Sequence, residues 1–453
     1  MSIYSIILAA GEGKRMASKI AKPLHKICGK ALLEYILEAA KGAGSEKNIV
    51  IVGHKAEDVR EYIADRAEYA YQREQLGTGH AVIQAMENLN GLHGTVMVLC
   101  GDTPLITSDI LSGVLNEHLS ENRAATVISA LAPNPFGYGR IVRENGNISR
   151  IVEQKDTTPE ENEIREINSG MIFFDLDKLR TALEKLDNNN AQGEYYLTDT
   201  IEILLSMGKK VGASIVDFDA TLGINDRVQL AEAGKLINRR NVERIMRGGV
   251  TVIDPDSTYI DDSVKIGMDT VIYPNCYIES GTTIGEDCII GPSTTLKNAK
   301  IGSGTTVDRA VLLDCSVGDN TNVGPFAYMR PNSKVGSNVK IGDFVEVKNS
   351  SIDDGTKVAH LTYIGDADVG KRVNFGCGTV IVNYDGINKH RTTIGDDAFI
   401  GCNSNLVSPV TVKDGAYTAA GSTITDEVPE NALAIARSRQ VNKEGWVTKN
   451  RKK

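Results

Sequence analysis

The stretch IDDSVK IGMDTV IYPNCY IESGTT IGEDCI IGPSTT L, residues 260–296, decides the fold of half the chain. An aliphatic residue returns every six positions, at Ile260, Ile266, Ile272, Ile278, Ile284, Ile290 and Leu296. After a slip the same rhythm carries Val317, Val323, Met329, Val335, Ile341 and Val347, then Ile394, Ile400, Leu406 and Val412, with Ile424 still in phase. A small residue usually stands four places on, as at Thr270, Cys276, Thr282 and Cys288, and Gly or Asp commonly follows the aliphatic, as in Ile266-Gly267 and Ile341-Gly342. A six-residue segment with one inward aliphatic cannot bury a core alone, so such segments must stack, and they predict a parallel β-helix over 250–437. Period-2 strands of an ordinary β-domain would not hold one phase for so long.

Upstream the pattern is different. Apolar runs alternate with helical stretches, at Ile3–Ala9, Ala31–Gly42, Asn48–Val52, Gly79–Met86 and Thr95–Cys100, which predicts a mostly parallel sheet with helices on both faces over 1–226. In such sheets ligands bind at the carboxyl ends of the strands. Residues 227–249 are apolar at helical spacing and dense in charge, a linking helix ended near Gly248-Gly249. Beyond 437 a tail over 438–453 carries Arg439, Lys443, Lys449, Arg451, Lys452 and Lys453 against Glu444, with the chain's single tryptophan, Trp446.

With 453 residues, two or three domains are expected. A net charge of −9 argues against a nucleic-acid polymer as partner but leaves a small nucleotide possible, since that needs only a few local cations. No apolar run reaches the roughly 18 residues of a membrane span, and the first residues lack the basic region of a secretory signal. The seven cysteines are odd in number and show no paired metal spacing, which predicts a reducing, cytoplasmic setting. Cys276, Cys288 and Cys315 fall where the repeat wants a small inward side chain, so packing is their expected role.

Leu8-Ala9-Ala10-Gly11-Glu12-Gly13-Lys14-Arg15-Met16 follows the first strand. A glycine-rich strand-to-helix turn offers backbone N–H groups to phosphate oxygens, and Arg15 and Lys22 add neutralising charge. The glycines are too close for a Walker loop, and the third glycine of a dinucleotide fingerprint is missing. Asp102, in Gly101-Asp102-Thr103-Pro104 at the end of a buried strand, is placed to hold Mg²⁺ between substrate phosphates or, more blandly, to cap a turn. Gln72 and Gln75-Leu76-Gly77-Thr78-Gly79-His80-Ala81 supply amide and hydroxyl groups able to read a base or a sugar.

In the β-helix, Arg330 and Lys348 follow Met329 and Val347, where the rhythm otherwise has Gly or Asp. If three hexads make one coil, these cations stack on one edge of adjacent coils, where they repel, and a bound anion explains them better than solvated surface charge. His360 stands in Val358-Ala359-His360-Leu361-Thr362-Tyr363-Ile364-Gly365-Asp366. A lone histidine is more often structural, yet imidazole is also the side chain suited to act as a base near neutral pH.

Together these motifs resemble the sugar-phosphate nucleotidylyltransferases, and with the hexapeptide half they resemble the bifunctional bacterial uridylyltransferase/acetyltransferases over nearly the whole chain. Gln-Leu-Gly-Thr-Gly-His-Ala and His-Leu-Thr-Tyr-x-Gly-Asp carry the likeness. It implies an α/β, Rossmann-like nucleotidylyltransferase domain followed by a left-handed parallel β-helix that assembles as a homotrimer. Glucosamine-1-phosphate would be acetylated with acetyl-CoA as cosubstrate. The N-acetylglucosamine-1-phosphate formed would react with UTP and Mg²⁺ to give UDP-N-acetylglucosamine and pyrophosphate, feeding peptidoglycan, lipopolysaccharide and lipid A precursors.

By that resemblance Leu8, Ala9, Ala10, Gly11, Gln72, Gly77 and Thr78 hold the uridine, Arg15 and Lys22 the triphosphate, and Gly139, Glu153 and Asn168 the acetylated sugar. Asp102 and Asn225 are the metal ligands. In the second half, Arg330, Lys348, Glu346, Tyr363, Asn374 and Lys389 surround glucosamine-1-phosphate and His360 is the general base. Cys377, whose N–H would stabilise an oxyanion, lies with Asn383, Tyr384, Cys402, Ala420 and Arg437 at acetyl-CoA. The loop over 383–391, where the hexad lapses, reaches a neighbouring subunit, and the basic tail either pairs with CoA phosphates or is a frayed terminus. The chain departs from the family at Ala21 for a common proline, Cys100 for a common aromatic residue and Cys402 for a common serine. Two other readings are a nucleotidylyltransferase whose β-helix serves only trimerisation or regulation, and a non-catalytic scaffold. Arg330, Lys348 and His360 speak against the first, and Arg15, Lys22, Asp102 and Asn225 against the second.

Overall fold

The computed structural model describes residues 2–190 and 192–451; Lys452 and Lys453, counted in the basic tail, lie outside the described residues. The chain forms two compact units, residues 1–237 and 238–453. In the first, strands β1 (Ile3–Leu8), β2 (Lys47–Val52), β3 (Glu68–Tyr71), β4 (Thr95–Cys100), β5 (Ala125–Leu131), β6 (Gly139–Glu144), β7 (Asn147–Val152), β8 (Glu166–Asp175) and β9 (Val211–Val216) share one sheet. Its main order is β9-β5-β8-β4-β1-β2-β3, with the β6–β7 hairpin attached to β8. β1, β2, β3 and β4 are mutually parallel, and β8 runs antiparallel between β4 and β5. The sheet is therefore mixed, with its parallel half where the glycine-rich turn lies.

Alternate side chains bury both faces, as a doubly covered sheet requires. Ile6, Ile49, Ile51, Val96 and Val98 pack with Ala81, Val82 and Ala85 of α3 (Thr78–Ala85) on one side. Ile7, Val50, Val52, Met97 and Leu99 pack on the other with Leu33 and Ile36 of α1 (Leu32–Gly42), Val59 of α2 (Ala56–Ile63) and Leu111 and Val114 of α4 (Ser108–Ser120).

The second unit is the left-handed parallel β-helix. Short strands from Thr251–Val252 to Leu433–Ala434 stack into three parallel sheets of 11, 10 and 9 strands. The aliphatic of each hexad pairs with its counterpart three hexads on, as in Ile260↔Ile278, Ile266↔Ile284 and Ile272↔Ile290. These residues form one core running along the unit. The small inward residue has a polar task as well. Thr270 Oγ1 donates to Gly285 O at 2.9 Å and accepts from Cys288 N at 3.1 Å, and Thr305, Thr321 and Thr356 repeat this between later rungs. Cys276 and Cys288 sit at the same position and direct their thiols at Gly291 O and Gly302 O, both at 3.1 Å. Where Thr or Cys stands there, its donor satisfies a buried carbonyl of the next rung, while Ala327, Ala398 and Ala416 fill the same position by size alone.

A helix over Arg227–Arg247 spans the division between the units. Its second half closes the open edge of the first rung: Asn238 donates to Thr258 O at 2.8 Å and accepts from Ile260 N at 2.9 Å, and Asn241 donates to Ile260 O at 3.0 Å. Both asparagines are buried. An uncovered sheet edge invites pairing with another chain, and these carboxamides complete its hydrogen bonds instead. After the last rung the tail is exposed and carries a short helix, Trp446–Asn450. Among the described residues no helix is long and apolar enough to cross a membrane.

Candidate functional sites

In the first unit β1 and β4 end side by side, with Leu8 opposite Cys100 and Gly101 N donating to Leu8 O at 2.9 Å. The chain segments leaving these strands surround a cavity of about 360 Å³ lined by Leu8, Ala9, Ala10, Gly11, Lys22, Gln72, Gln75, Gly77, Thr78, Asp102 and Glu194, among others. Gln72 is buried and donates to Gly77 O at 3.0 Å; Gln75 donates to Ala10 O at 2.9 Å and so ties the second wall to the glycine-rich turn. Gly77 has φ 106°, and a Cβ there would meet Tyr195 O at 2.6 Å, so only glycine fits.

Three residues far apart in sequence meet at one point. Lys22 Nζ lies 2.5 Å from Asp102 Oδ2 and 2.9 Å from Asn225 Oδ1. Asn225 is held there because Ile224 N donates to Asp102 O at 2.9 Å. Two oxygen donors, one of them anionic, thus converge on a cationic group. A carboxylate and a carboxamide oxygen suit a hard divalent cation such as Mg²⁺, which prefers oxygen and keeps much of its water. Arg15 is different: it is exposed, in the short turn Lys14–Met16, and does not line the cavity.

Gly139, Glu153 and Asn168 are also brought together. Asn168 faces Gly139 across β8 and β6, and a Cβ on Gly139 would stand 3.4 Å from Glu153 Oε2. Thr198 donates to Glu153 at 3.2 Å, while burial raises the carboxyl's pKa above its ordinary value. None of the three lines the 360 Å³ cavity. Next to them Arg140 is fully buried, donating to Tyr138 O and, at 2.9 Å, to Gln154 Oε1. Gln154 Oε1 also accepts from Gly137 N at 2.8 Å, so this guanidinium ties together both loops beside Glu153.

In the β-helix the expected residues share neighbouring rungs. Met329 pairs with Val347 and Arg330 N donates to Val347 O at 2.8 Å, so Arg330 and Lys348 stack as the spacing predicts. The two stacked cations do not repel each other without counter-charge. Arg330 Nη1 is 2.9 Å from Glu346 Oε1, and Lys348 Nζ is 3.2 Å from Asp366 Oδ2, so each cation has its own carboxylate. Asp366 further accepts from Asn349 at 2.6 Å and from Asn383 at 2.5 Å, and Asn383 reaches Tyr363 Oη at 3.4 Å. Lys389 comes from the 383–391 loop to the same place. The Lys348 ammonium beside it lowers its pKa, with a smaller contribution from Arg330. Three cations against two carboxylates leave the cluster with a surplus positive charge.

His360 ends the strand Lys357–His360 in register with Asp343, and its Nδ1 lies 2.6 Å from Asp343 Oδ1. This bond holds the Asp343 carboxyl below its usual range and, with Nδ1 carrying the proton, leaves Nε2 as the basic nitrogen. Asn374 lies on the next strand of that sheet, paired with Lys357. Cys377, Cys402 and Ala420 occupy the same corner of three successive rungs, with Asn403 N donating to Cys377 O and Gly421 N to Cys402 O, each at 2.8 Å. Arg437 reaches this corner: its Cδ would be 3.8 Å from a Cβ on Gly421. Tyr384 is exposed at the start of the loop, which Asp385 organises by accepting from Ile387 N at 2.8 Å and Asn388 N at 2.6 Å.

Sequence reasoning missed Asp343 and Asp366 as parts of the site. Asp343 stands 17 residues before His360, one coil away, and Asp366 lies 18 after Lys348. The coil period could have found both.

An α/β unit with a strand-end cavity and a rung-built basic site define a two-part transferase, a nucleotidyl transferase joined to a hexapeptide-repeat transferase. The nucleotidyl transferase family model matches residues 4–219, and the bacterial transferase hexapeptide (six repeats) model matches 263–298, 314–349 and 391–426. The Bifunctional protein GlmU of Acetivibrio thermocellus is 59% identical over 449 residues, 99% of this chain and 97% of the relative. Those of Caldanaerobacter subterraneus subsp. tengcongensis and Geobacillus sp. are 56% and 54% identical, covering 100% and 98% of this chain and 99% and 97% of the relatives. The chain belongs to the bifunctional GlmU family.

Proposed function

We propose that this protein acetylates glucosamine-1-phosphate with acetyl-CoA at the β-helix site and then joins the product to UMP from UTP at the strand-end cavity, giving UDP-N-acetylglucosamine and pyrophosphate. The observation that supports this best is the presence in one chain of two unlike sites. One is an oxygen-donor pair around a lysine, suited to phosphoryl chemistry. The other is a histidine fixed by a carboxylate beside a surplus of positive charge, suited to acyl transfer onto a phosphorylated amine.

At the cavity, a sugar-phosphate oxygen attacks the α-phosphorus of UTP and pyrophosphate leaves, so no protein nucleophile is needed. The obstacle is repulsion between two polyanions. Lys22 exchanges its bonds to Asp102 and Asn225 for triphosphate oxygens, and those two residues are then free to hold Mg²⁺. When bound, the ion supplies charge neutralisation at the phosphates. Main-chain groups of Leu8–Gly11, with Gln72, Gly77 and Thr78, fix the uridine. Gly139, Glu153 and Asn168 hold the acetylated sugar. Arg15 is the distal cation, meeting the triphosphate from the exposed turn.

At the β-helix, Arg330, Lys348 and Lys389 bind the phosphate of glucosamine-1-phosphate, and Tyr363, Asn374 and Glu346 orient the sugar. His360 Nε2 takes a proton from the substrate ammonium, and the freed amine attacks the thioester carbonyl. The N–H of Cys377 stabilises the oxyanion, and coenzyme A leaves as the thiol. Asn383, Tyr384, Cys402, Ala420 and Arg437 line the acetyl-CoA path. The protein acts in the cytoplasm as a homotrimer, with the 383–391 loop completing a neighbour's site.

Purified protein given glucosamine-1-phosphate, acetyl-CoA, UTP and Mg²⁺ should release coenzyme A thiol and form UDP-N-acetylglucosamine. Thiol without nucleotide sugar, or nucleotide sugar only from pre-acetylated substrate, would leave one half of the reading standing. Neither product would sink it.

A further inference from the structure

Cys377 and Cys402 hold equivalent positions on neighbouring rungs. Phe375 pairs in register with Ile400, and Gly376 N donates to Ile400 O at 2.7 Å. Each thiol follows a glycine, Gly376 or Gly401, and precedes a left-handed residue, Gly378 (φ 75°) or Asn403 (φ 52°). Equivalent residues of stacked parallel rungs send their side chains the same way, one strand spacing apart, about 4.8 Å. Cys377 is half-buried, Cys402 is exposed, and both are free thiols.

That spacing discriminates between two kinds of thiol chemistry. A disulfide wants its Cβ atoms about 3.8 Å apart, so closing one here would pinch the rungs together by about 1 Å. The backbones already approach closely here, since a Cβ on Gly376 would lie 2.4 Å from Cys402 N. A soft ion bridging two sulfurs needs no pinch. Among the described residues no group of three His, Cys, Asp or Glu could hold a metal, so a cation that demands three or four protein ligands is not served here.

We propose that Cys377 and Cys402 form a two-thiolate site for a soft, thiophilic, two-coordinate cation of the Cu(I) class. Binding forms two sulfur–metal bonds and releases the two thiol protons to solvent, with no change of oxidation state. The consequence for activity rests on the acetyl-transfer reading above: an ion on these sulfurs obstructs the thioester's path and stops acetyl transfer, while uridylyl transfer continues.

Full-length protein is titrated anaerobically with Cu(I) against a chromophoric Cu(I) chelator. Wild type should retain one equivalent more than Cys377→Ser, Cys402→Ser or the double variant. Equal uptake by wild type and the double variant overturns the site, as does the extra equivalent persisting in either single variant. In the second arm, formation of acetylated sugar phosphate with the ion is compared with each protein's own ion-free rate. Wild type should fall about tenfold or more and the double variant less than about twofold. An undiminished wild-type rate with the ion bound overturns the obstruction. Absence of ion-free acetyl transfer counts against the functional reading, and the uptake measurement stands apart from it.

Discussion

The two sites are assembled by opposite means. In the strand-end cavity, Asp102 and Asn225 lie 80 and 203 residues beyond Lys22 along the chain, and the three meet only because sheet topology brings their loops together. In the β-helix, His360 meets Asp343 at a separation of 17, Arg330 meets Glu346 at 16 and Lys348 meets Asp366 at 18, each close to one coil. Loops carry no core obligation, so their functional residues have no background against which to stand out. A rung must place an aliphatic here, a compact buried residue there and a left-handed corner next, so a residue that serves none of these needs another explanation.

The largest effects should come from breaking either site alone. Asp102→Asn removes the anionic oxygen donor and should lower uridylyl transfer by about 10³-fold or more while leaving coenzyme A release unchanged. Nucleotide-sugar formation from pre-acetylated substrate and thiol release, measured separately, check it. Retained uridylyl activity at ordinary Mg²⁺ would remove Asp102 from the proposed chemistry. His360→Ala is the mirror experiment. It should lower thiol release by about 10²–10⁴-fold and spare uridylyl transfer from N-acetylglucosamine-1-phosphate. Full thiol release would mean the base lies elsewhere.

The two regions also differed in how much of them was legible. The hexad rhythm disclosed the β-helix, because one inward side chain in about six must be apolar along each coil. It did not disclose why threonine recurs four places on, since its hydrogen bond to the next rung depends on three-dimensional stacking. Nor did it disclose Asn238 and Asn241, whose role in closing the first rung exists only once that edge exists. In the α/β unit the strands Thr95–Cys100 and Ile3–Leu8 were readable as buried apolar runs, but the antiparallel β8 was not, because a central strand is apolar whichever way it runs. Arg15 and Lys22 read alike as nearby cations, yet only Lys22 lines the cavity. Loop geometry, invisible in composition, separates them.

A third test compares the units as folded bodies. Burial lowers the His118 pKa from its ordinary 6.5 to about 4, and burial also lowers His25, both in the first unit. In the β-helix, His360 is exposed and His390 half-buried. Between pH 6.5 and 4 the unfolded chain binds a proton at His118 that the folded chain refuses, so stability falls as pH is lowered through this window and is complete above it. The loss should approach about 3 kcal/mol at the acid end. Amide exchange at pH 7 and 5 should show protection falling in Lys47–Val52 and Thr95–Cys100 and holding in the β-helix strands. His118→Gln should flatten the slope; an unchanged slope would assign it to another group.

The smallest of these effects concerns Asp343, one of the two residues that the coil period could have found. Asp343 touches no substrate in the proposed mechanism. It keeps the His360 proton on Nδ1 and the imidazole plane fixed, so that Nε2 faces the amine as a base. Asp343→Asn preserves shape and can still hydrogen-bond Nδ1, but as an amide it can also donate, which favours the tautomer with the proton on the wrong nitrogen. Acetyl transfer should therefore fall by about tenfold, less than the 10²–10⁴-fold or so carried by the base itself, with the change in kcat and KM for acetyl-CoA unmoved. Asp343→Glu, which keeps a carboxylate to accept from Nδ1, separates orientation from mere scaffolding and should recover acetyl transfer in part. An equal loss in both variants would mean that Asp343 only props the rung and that the histidine finds its orientation without it.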